Sequence, residues 1–506
     1  MRIDPVLLPL LTGGPLLLAG LVTVVRHVLL ERVLLVAVPA VSLLAGVALL
    51  VQHGREPVIA HHVGGYVPGV AIPFVSDTLS ALMITVTAAA ALACVVFLMR
   101  TGEDRYRFVP PLILVMLGGV NGAFLTGDLF NFFVMVEVMV LPSYALIAVT
   151  GTWRRLGIGR TFVVINLLTS GLLVMGVGMV YATTGTVNLA LLAGAAQGEP
   201  MVAVAAALVL LAMGIKASVV PVHGWLPQTY PATSGGIMAL FSALHTKVAL
   251  YAIYRVYATI FEGAAPWALV LTLLVGLTIV VGAYSTFGEH IIRRALAWQM
   301  VAGVGHILVG VVLFTQVAVA AGLFYMLHHI VTMGALLLMA GAIEQTYGSG
   351  RYERLSGLMH RDGWVALAYA FALLSLVGLP PSAGFFGKVG LIQAAATADT
   401  WEGWLMLTLV LVGAVASLIA MQRLWVGVFW GPPMETYRPD SPRTGRGPSV
   451  ALPDDVRVPW RLLAPGAALV VLQLLMFAGA GVLFPLVRRA AQGLVDTAPY
   501  VQAVLG

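Results

Sequence analysis

The sequence holds three lysines, Lys216, Lys247 and Lys388, each inside an apolar stretch long enough to cross a lipid bilayer. The other 24 of its 27 basic residues are arginines, gathered almost entirely between such stretches. An ammonium at the bilayer centre costs at least ~2.5–3.5 kcal/mol on insertion scales, so a lysine there marks a functional site by default. Lysine, unlike arginine, can release its proton when desolvation lowers its pKa. A chain that keeps lysine only where its charge is least tolerated carries the residues for proton transfer.

Glu137 is the matching carboxylate, the one acid squarely within a spanning stretch (Phe130-Asn131-Phe132-Phe133-Val134-Met135-Val136-Glu137). Alone in hydrocarbon it would stay protonated; beside a lysine both groups ionise. Lys216 is the expected partner and Lys247 the next. Drawing such a pair apart favours the neutral form of each member and expels the lysine's proton. The plainer alternative is a fixed ion pair holding two helices together, a purpose that buried pairs serve poorly. Lys247 lies too deep to snorkel and is a relay candidate. Lys388 follows a Gly-Leu-Pro-Pro-Ser-Ala-Gly interruption and suits a terminal donor or acceptor.

Histidines His223, His245, His306, His328 and His329 lie in or beside apolar runs. With a pKa near ~6.5, histidine relays protons without a large shift, although it also serves as a helix-to-helix hydrogen bonder. His329 is the expected relay member, with His245, His306 and His328 as further candidates. Adjacent His328 and His329 project ~100° apart on a helix, so the two are not expected to face one path. His245 and Lys247, two positions apart, do not share a face either. Asp128 and Glu344 sit at run edges and read as interfacial. No spacing resembles a metal site, no loop suits a nucleotide, and no cofactor is expected. Cys94 is the single cysteine, which excludes an intrachain disulfide and a cysteine-ligated cluster. No nucleophile–base pair points to an intramembrane enzyme.

The elements that must position these groups follow from composition. Hydrophobic residues make up 60% of the chain and charged ones 9%, with a mean hydropathy of +0.99, values that define an all-α polytopic membrane protein. The net charge of +6 comes from arginines in short loops and is no nucleic-acid signature. Fourteen runs approach the ~20 residues that span a bilayer as helix, from Pro5–Val25 to Leu462–Val487. The first lacks a convincing cleavage site and reads as retained. With both termini outside, nineteen arginines fall in inner loops and Arg2, Arg55, Arg255, Arg488 and Arg489 fall outside, as the positive-inside rule requires.

The seventh run, Met201–Val222, ends in Pro221, and the twelfth, Trp364–Ala396, is interrupted at Gly378, Pro380, Pro381 and Gly384. Both read as broken helices, and breaks at corresponding positions of two halves suggest an inverted-repeat transporter core with its ion path at the breaks. The expected organisation is N-terminal helices over 1–107, repeats over 108–260 and 261–430, a mobile inner loop over 431–461, and a last helix with a tail over 462–506.

Thr126-Gly127-Asp128-Leu129-Phe130-Asn131 through Glu137-Val138-Met139 to Ser143-Tyr144-Ala145-Leu146 resembles the antiporter-like subunits shared by Mrp-type sodium/proton antiporters and respiratory complex I. Gly214-Ile215-Lys216-Ala217, Trp225-Leu226-Pro227, Thr246-Lys247-Val248, and Gly378-Leu379-Pro380-Pro381 with Gly387-Lys388 follow in the family's order. The resemblance covers about Phe74 to Val428 and is strongest to the D-type branch of the Mrp subunits. It implies a fourteen-helix fold with inverted five-helix repeats and broken helices 7 and 12. It also implies a Glu137–Lys216 pair, a relay through Lys247 to Lys388, exchange of protons for sodium or another monovalent cation, and sister antiporter subunits as partners in a bacterial cell membrane. The rival expectation is a proton-pumping subunit of complex I or of a membrane-bound hydrogenase; a third is a non-transporting structural subunit. Three departures stand out. Met333 replaces a frequent lysine of the eleventh span, leaving His329 or water to bridge. Pro231-Ala232-Thr233-Ser234 replaces an Ala-Pro-x-Pro segment, and His245 replaces an apolar residue. No long lateral amphipathic helix is expected after the fourteenth span.

Overall fold

The computed structural model describes residues 3–149, 153–439 and 447–506. Helix dominates because hydrocarbon offers the backbone no hydrogen-bond partner, so a spanning segment must satisfy its own groups. Helices α1 (Leu10–Val24) and α2 (Val28–Gln52) lead into an antiparallel pair, β1 (Val58–His62) with β2 (Pro73–Asp77), and then α3 (Thr78–Thr101). Next come α4 (Val109–Leu125), α5 (Leu129–Ala148), α6 (Trp153–Thr184), α7 (Pro200–Ala217), the short α8 (Trp225–Thr229) and α9 (Gly235–Phe261). Then follow α10 (Ala268–Ser285), α11 (Ile292–Leu313), α12 (Gln316–Tyr347), α13 (Leu358–Arg361), α14 (Gly363–Val377), α15 (Ala383–Thr397) and α16 (Trp401–Val428). Strands β3 (Thr436–Tyr437) and β4 (Val450–Ala451) pair before α17 (Trp460–Ala478), α18 (Ala480–Val495) and α19 (Ala498–Leu505). Among the described residues twelve segments are long and apolar enough to cross a membrane, and α4 and α14 are shorter apolar helices.

Two helices form the centre. Every residue of α9 is buried, and so is nearly all of α12. They pack on each other; α7 and α3 flank α9, while α11, α15 and α17 flank α12. Helices α3 and α9 run antiparallel, and their ends are tied. Ser234 Oγ, at the N-cap of α9, donates to Glu103 Oε2 beyond the end of α3 at 2.6 Å. At the opposite face Arg255 Nη2 donates to Asp77 Oδ2 at 2.5 Å.

Helix α7 stops at Ala217, with Ser218 in the left-handed region at φ 72°, and helix resumes at Trp225. Helix α14 stops at Val377, capped by left-handed Gly378 at φ 91°, and resumes at Ala383. The freed backbone groups find partners. Trp225 Nε1 donates to the Ile215 carbonyl at 2.9 Å, Val220 N–H to Thr278 Oγ1 at 3.0 Å, and Gly384 N–H to Ser375 Oγ at 3.2 Å. Such accounting is what irregular backbone inside protein demands.

The structure departs from the sequence expectations at three places. The run Leu462–Val487 is two helices, because the chain turns at Gly479. Helix α18 buries Ala480, Val487, Ala490, Ala491 and Leu494 on one face, against α12 and α3. Arg255 is no outer-loop residue; α9 continues to Phe261 and Arg255 is buried within it. The described parts of 431–461 are tied down rather than loose. Ser356 Oγ donates to the Pro432 carbonyl at 2.7 Å, Arg361 Nη2 to the Pro453 carbonyl at 2.6 Å, and Val458 N–H to Asp362 Oδ1 at 3.0 Å. Arg2, Arg443 and Arg446, like the side chains of Arg154 and Arg155, lie outside the described residues.

Candidate functional site

Glu137 sits in α5, which starts where Asp128 Oδ1 accepts the Asn131 N–H at 2.7 Å. Its carboxylate accepts a short hydrogen bond from Ser170 Oγ of α6. One turn away on the same face of α6, Asn166 Oδ1 accepts from Lys216 Nζ at 3.2 Å. Asn166 Nδ2 is occupied by the Phe162 carbonyl at 2.9 Å, which turns the amide oxygen to the ammonium. Glu137 acts electrostatically on Lys216. The direct Glu137–Lys216 ion pair expected from the sequence is not formed among the described residues; α6 packs against both α5 and α7 and contributes the two intervening side chains. Lys216 lies in the last turn of α7, where unpaired carbonyls favour a cation.

His245 and Lys247 occupy opposite flanks of α9. His245 stacks on Phe241 with ring centres 4.6 Å apart, lies 3.5 Å from the Tyr230 hydroxyl through Nδ1, and feels Lys216. Lys247 is fully buried, donates to Thr246 Oγ1 at 3.2 Å, and acts on His329 and His328 of α12.

The two histidines of α12 point to different neighbours, about 100° apart. His329 is pressed against α11; a Cβ added at Gly303 would lie 2.0 Å from His329 Nε2. Its ring also faces the backbone of Gln299 in α11. His328 Nδ1 lies 3.1 Å from Thr332 Oγ1 and 3.4 Å from Ser375 Oγ, at the break between α14 and α15, and feels Lys388. Thr332 Oγ1 in turn reaches Gln473 Oε1 of α17 at 3.2 Å. Lys388 Nζ donates to the carbonyl of Val377, the last residue of α14, at 2.6 Å. His306 bonds the Ala302 carbonyl at 2.8 Å, stacks on Tyr325 at 5.3 Å, and is also close enough to feel Lys388.

The structure thus places Lys216, His245, Lys247, His329, His328 and Lys388 on helices that pack in series, α7 on α9, α9 on α12 and α12 on α15, with Glu137 on α5 reached through α6 and His306 on α11. His328 and His329 project about 100° apart on α12, as adjacent helix positions do, with ring centres 6.4 Å from one another; His329 faces α11 and His328 faces Thr332 and Ser375. Sequence reasoning missed Ser170, Asn166, Thr332, Ser375 and Gln473. Polar residues inside otherwise apolar runs were the available signal. Asp77 and Arg255 were missed as a buried pair because their partnership joins positions far apart in the chain.

By fold and site this is a polytopic helical membrane protein with buried lysines and histidines on its central helices. Residues 126–416 match the model of the NADH:quinone oxidoreductase/Mrp antiporter transmembrane family, and the chain belongs to that family. It is 31% identical to the D-type subunit of the Na(+)/H(+) antiporter of Alkalihalophilus pseudofirmus, over 99% of this chain and 98% of that one. The corresponding Na(+)/H(+) antiporter chain of Bacillus subtilis, also of the D type, is likewise 31% identical with the same coverage. Among solved structures, a chain of the Mrp complex from Dietzia sp. superposes with a TM-score of 0.94 at 41% identity, covering 99% of both chains. A chain of an archaeal membrane-bound sulfane sulfur reductase superposes with a TM-score of 0.85 at 25% identity, again covering 99% of both.

Proposed function

We propose that this chain is the D-type member of a multisubunit monovalent-cation/proton antiporter of a bacterial cell membrane, and that it carries protons along the row from Glu137 to Lys388. The observation that carries this reading is the row itself: Lys216, His245, Lys247, His329, His328 and Lys388 are buried, and half-buried Glu137 stands at its start. Full-length similarity to chains named as antiporter subunits supports it. Ser170 and Asn166 link the carboxylate to the first ammonium, so a change at Glu137 alters the field at Lys216 without a direct pair. His245 passes the step across α9 to Lys247; His329 and His328 pass it across α12 to Lys388. His328 Nε2, which lacks a protein partner among the described residues, is a position that suits bridging water.

Fourteen crossings follow if α4, and α14 together with α15, each add one to the twelve long spans. Residues 108–260 and 261–430 then form two five-helix halves of inverted topology, and both termini lie outside. The grouping of Arg32–Asp104 and Arg293–Glu344 at one face, with Asp77–Arg255 at the other, supports that alternation.

The test is Glu137→Gln in everted membrane vesicles with subunit assembly verified. Gln keeps the shape and loses the charge, so sodium-driven proton movement should vanish; wild-type exchange in an assembled complex would overturn the proposal. The likeness to the sulfane sulfur reductase chain keeps a second reading in view, a proton-translocating subunit of a redox complex. Co-purified antiporter subunits favour the first reading and co-purified redox subunits the second.

A further inference from the structure

A groove of about 530 Å³ lies between α3 and α17, and Leu43 of α2 closes one end. Its walls are apolar side chains of α3 and α17, and Arg100, Arg461 and Trp460 stand together at its other end. Arg100 lies in the last turn of α3 and Arg461 in the first turn of α17, so both are at the arginine-rich face. Both are exposed, and neither makes an ion pair or hydrogen bond among the described residues.

From Arg461 to Leu472 the α17 wall rises ~16 Å at 1.5 Å per residue, and the α3 wall from Arg100 to Ala89 rises about the same. That is close to half of the ~30 Å hydrocarbon core, the depth of one leaflet. A partner's spanning helix would need apolar wall across the full thickness. An acyl chain entering from one side needs only this much. Two guanidiniums without a protein partner among the described residues, at the level of an interfacial tryptophan, complement an anionic headgroup.

We infer that this groove is a binding site for an anionic phospholipid of the leaflet on the arginine-rich side, its headgroup held by Arg100 and Arg461 and one acyl chain lying between α3 and α17. The site is distinct from the proton row and does not rest on the proposed function. Through α17, whose Gln473 accepts from Thr332, itself the partner of His328, the lipid braces a helix that touches the row.

The test uses the assembled complex reconstituted in nanodiscs of phosphatidylglycerol with phosphatidylcholine, or of phosphatidylcholine alone. Lipid retained after detergent washing is counted by native mass spectrometry. Each basic residue near an anionic surface contributes about 1 kcal/mol, about fivefold. Arg100→Gln with Arg461→Gln should therefore lower phosphatidylglycerol retention about 30-fold and leave phosphatidylcholine retention unchanged. Ala468→Phe, which fills the groove and keeps both arginines, should lower it as well. Inorganic phosphate should not compete, since it has no acyl chain. Unchanged retention in the arginine variant, equal retention of both lipids, or loss of a neighbouring subunit instead of lipid in the Ala468→Phe complex would overturn the inference.

Discussion

A lysine that releases a proton and a lysine that only neutralises a carboxylate respond differently to arginine. Arginine keeps its charge with a pKa above ~12 and binds carboxylates more firmly. Lys216→Arg should therefore abolish exchange almost as fully as Lys216→Ala, measured as sodium-driven pH change in vesicles; full activity would show that Lys216 is merely a counter-charge. Its hydrogen-bond partner, Asn166, is an amide acceptor, which suits an ammonium that need not stay charged. Gly303 gives a second test at this scale. A methyl there collides with His329 Nε2, so Gly303→Ala should displace the ring and cut exchange as deeply as His329→Ala. The double variant should be no worse than either single one, because both changes act on one ring.

On the proposed path, helices α9 and α12 act as rungs rather than rails. An α-helix is satisfied along its own axis, so a proton moves past one only if ionisable groups occupy both flanks. On the proposed path His245 and Lys247 supply them at α9, and His329 and His328, about 100° apart, lead around α12. His328→Ala and His329→Ala should then both cripple exchange, each at normal assembly; a mild effect of His328→Ala alone would place Lys388 outside the path. Met333 is fully buried one turn beyond His329 on the same side of α12. Met333→Lys should consequently restore part of the exchange lost in His329→Ala, and should not rescue His328→Ala.

At the scale of the molecule, α18 and α19 form a strap across the face opposite the arginine-rich one. Arg489 Nη1 donates to the His53 carbonyl at 3.3 Å, and His62 Nε2 bonds the Val504 carbonyl at 2.8 Å. Tyr500 lies under the Arg255 guanidinium, 5.0 Å from ring centre to charge. With both termini proposed on the outer side, a phosphatase fused after Gly506 should be active outside the cell and a fluorescent protein there should stay dark; the reverse would break the fourteen-crossing arrangement. His53 anchors the strap's underside, with Nε2 2.9 Å from Ser76 Oγ and Nδ1 2.8 Å from the Glu56 carbonyl. Burial pushes its imidazole below the ordinary 6.5, so the unfolded chain binds more protons there than the folded one. The contribution to stability is full above about 6.5 and falls as pH drops below it. Thermal unfolding in detergent should show that loss, and His53→Gln should flatten it.

Much of this protein is legible without coordinates. Apolar runs name the membrane helices because hydrocarbon leaves a backbone no other solution. Lys216, Lys247, Lys388 and Glu137 announce themselves because a charge in that medium is too costly to be incidental, and the Gly–Pro interruptions after Lys216 and before Lys388 mark the places where helix cannot continue. What the sequence did not carry is which neighbour each side chain meets. A position within a helix sets an angle about its own axis, but packing decides what lies at that angle. Helix α6 therefore inserts Ser170 and Asn166 between Glu137 and Lys216, two adjacent histidines of α12 meet different helices, and Arg255 finds Asp77 from the far end of an antiparallel helix.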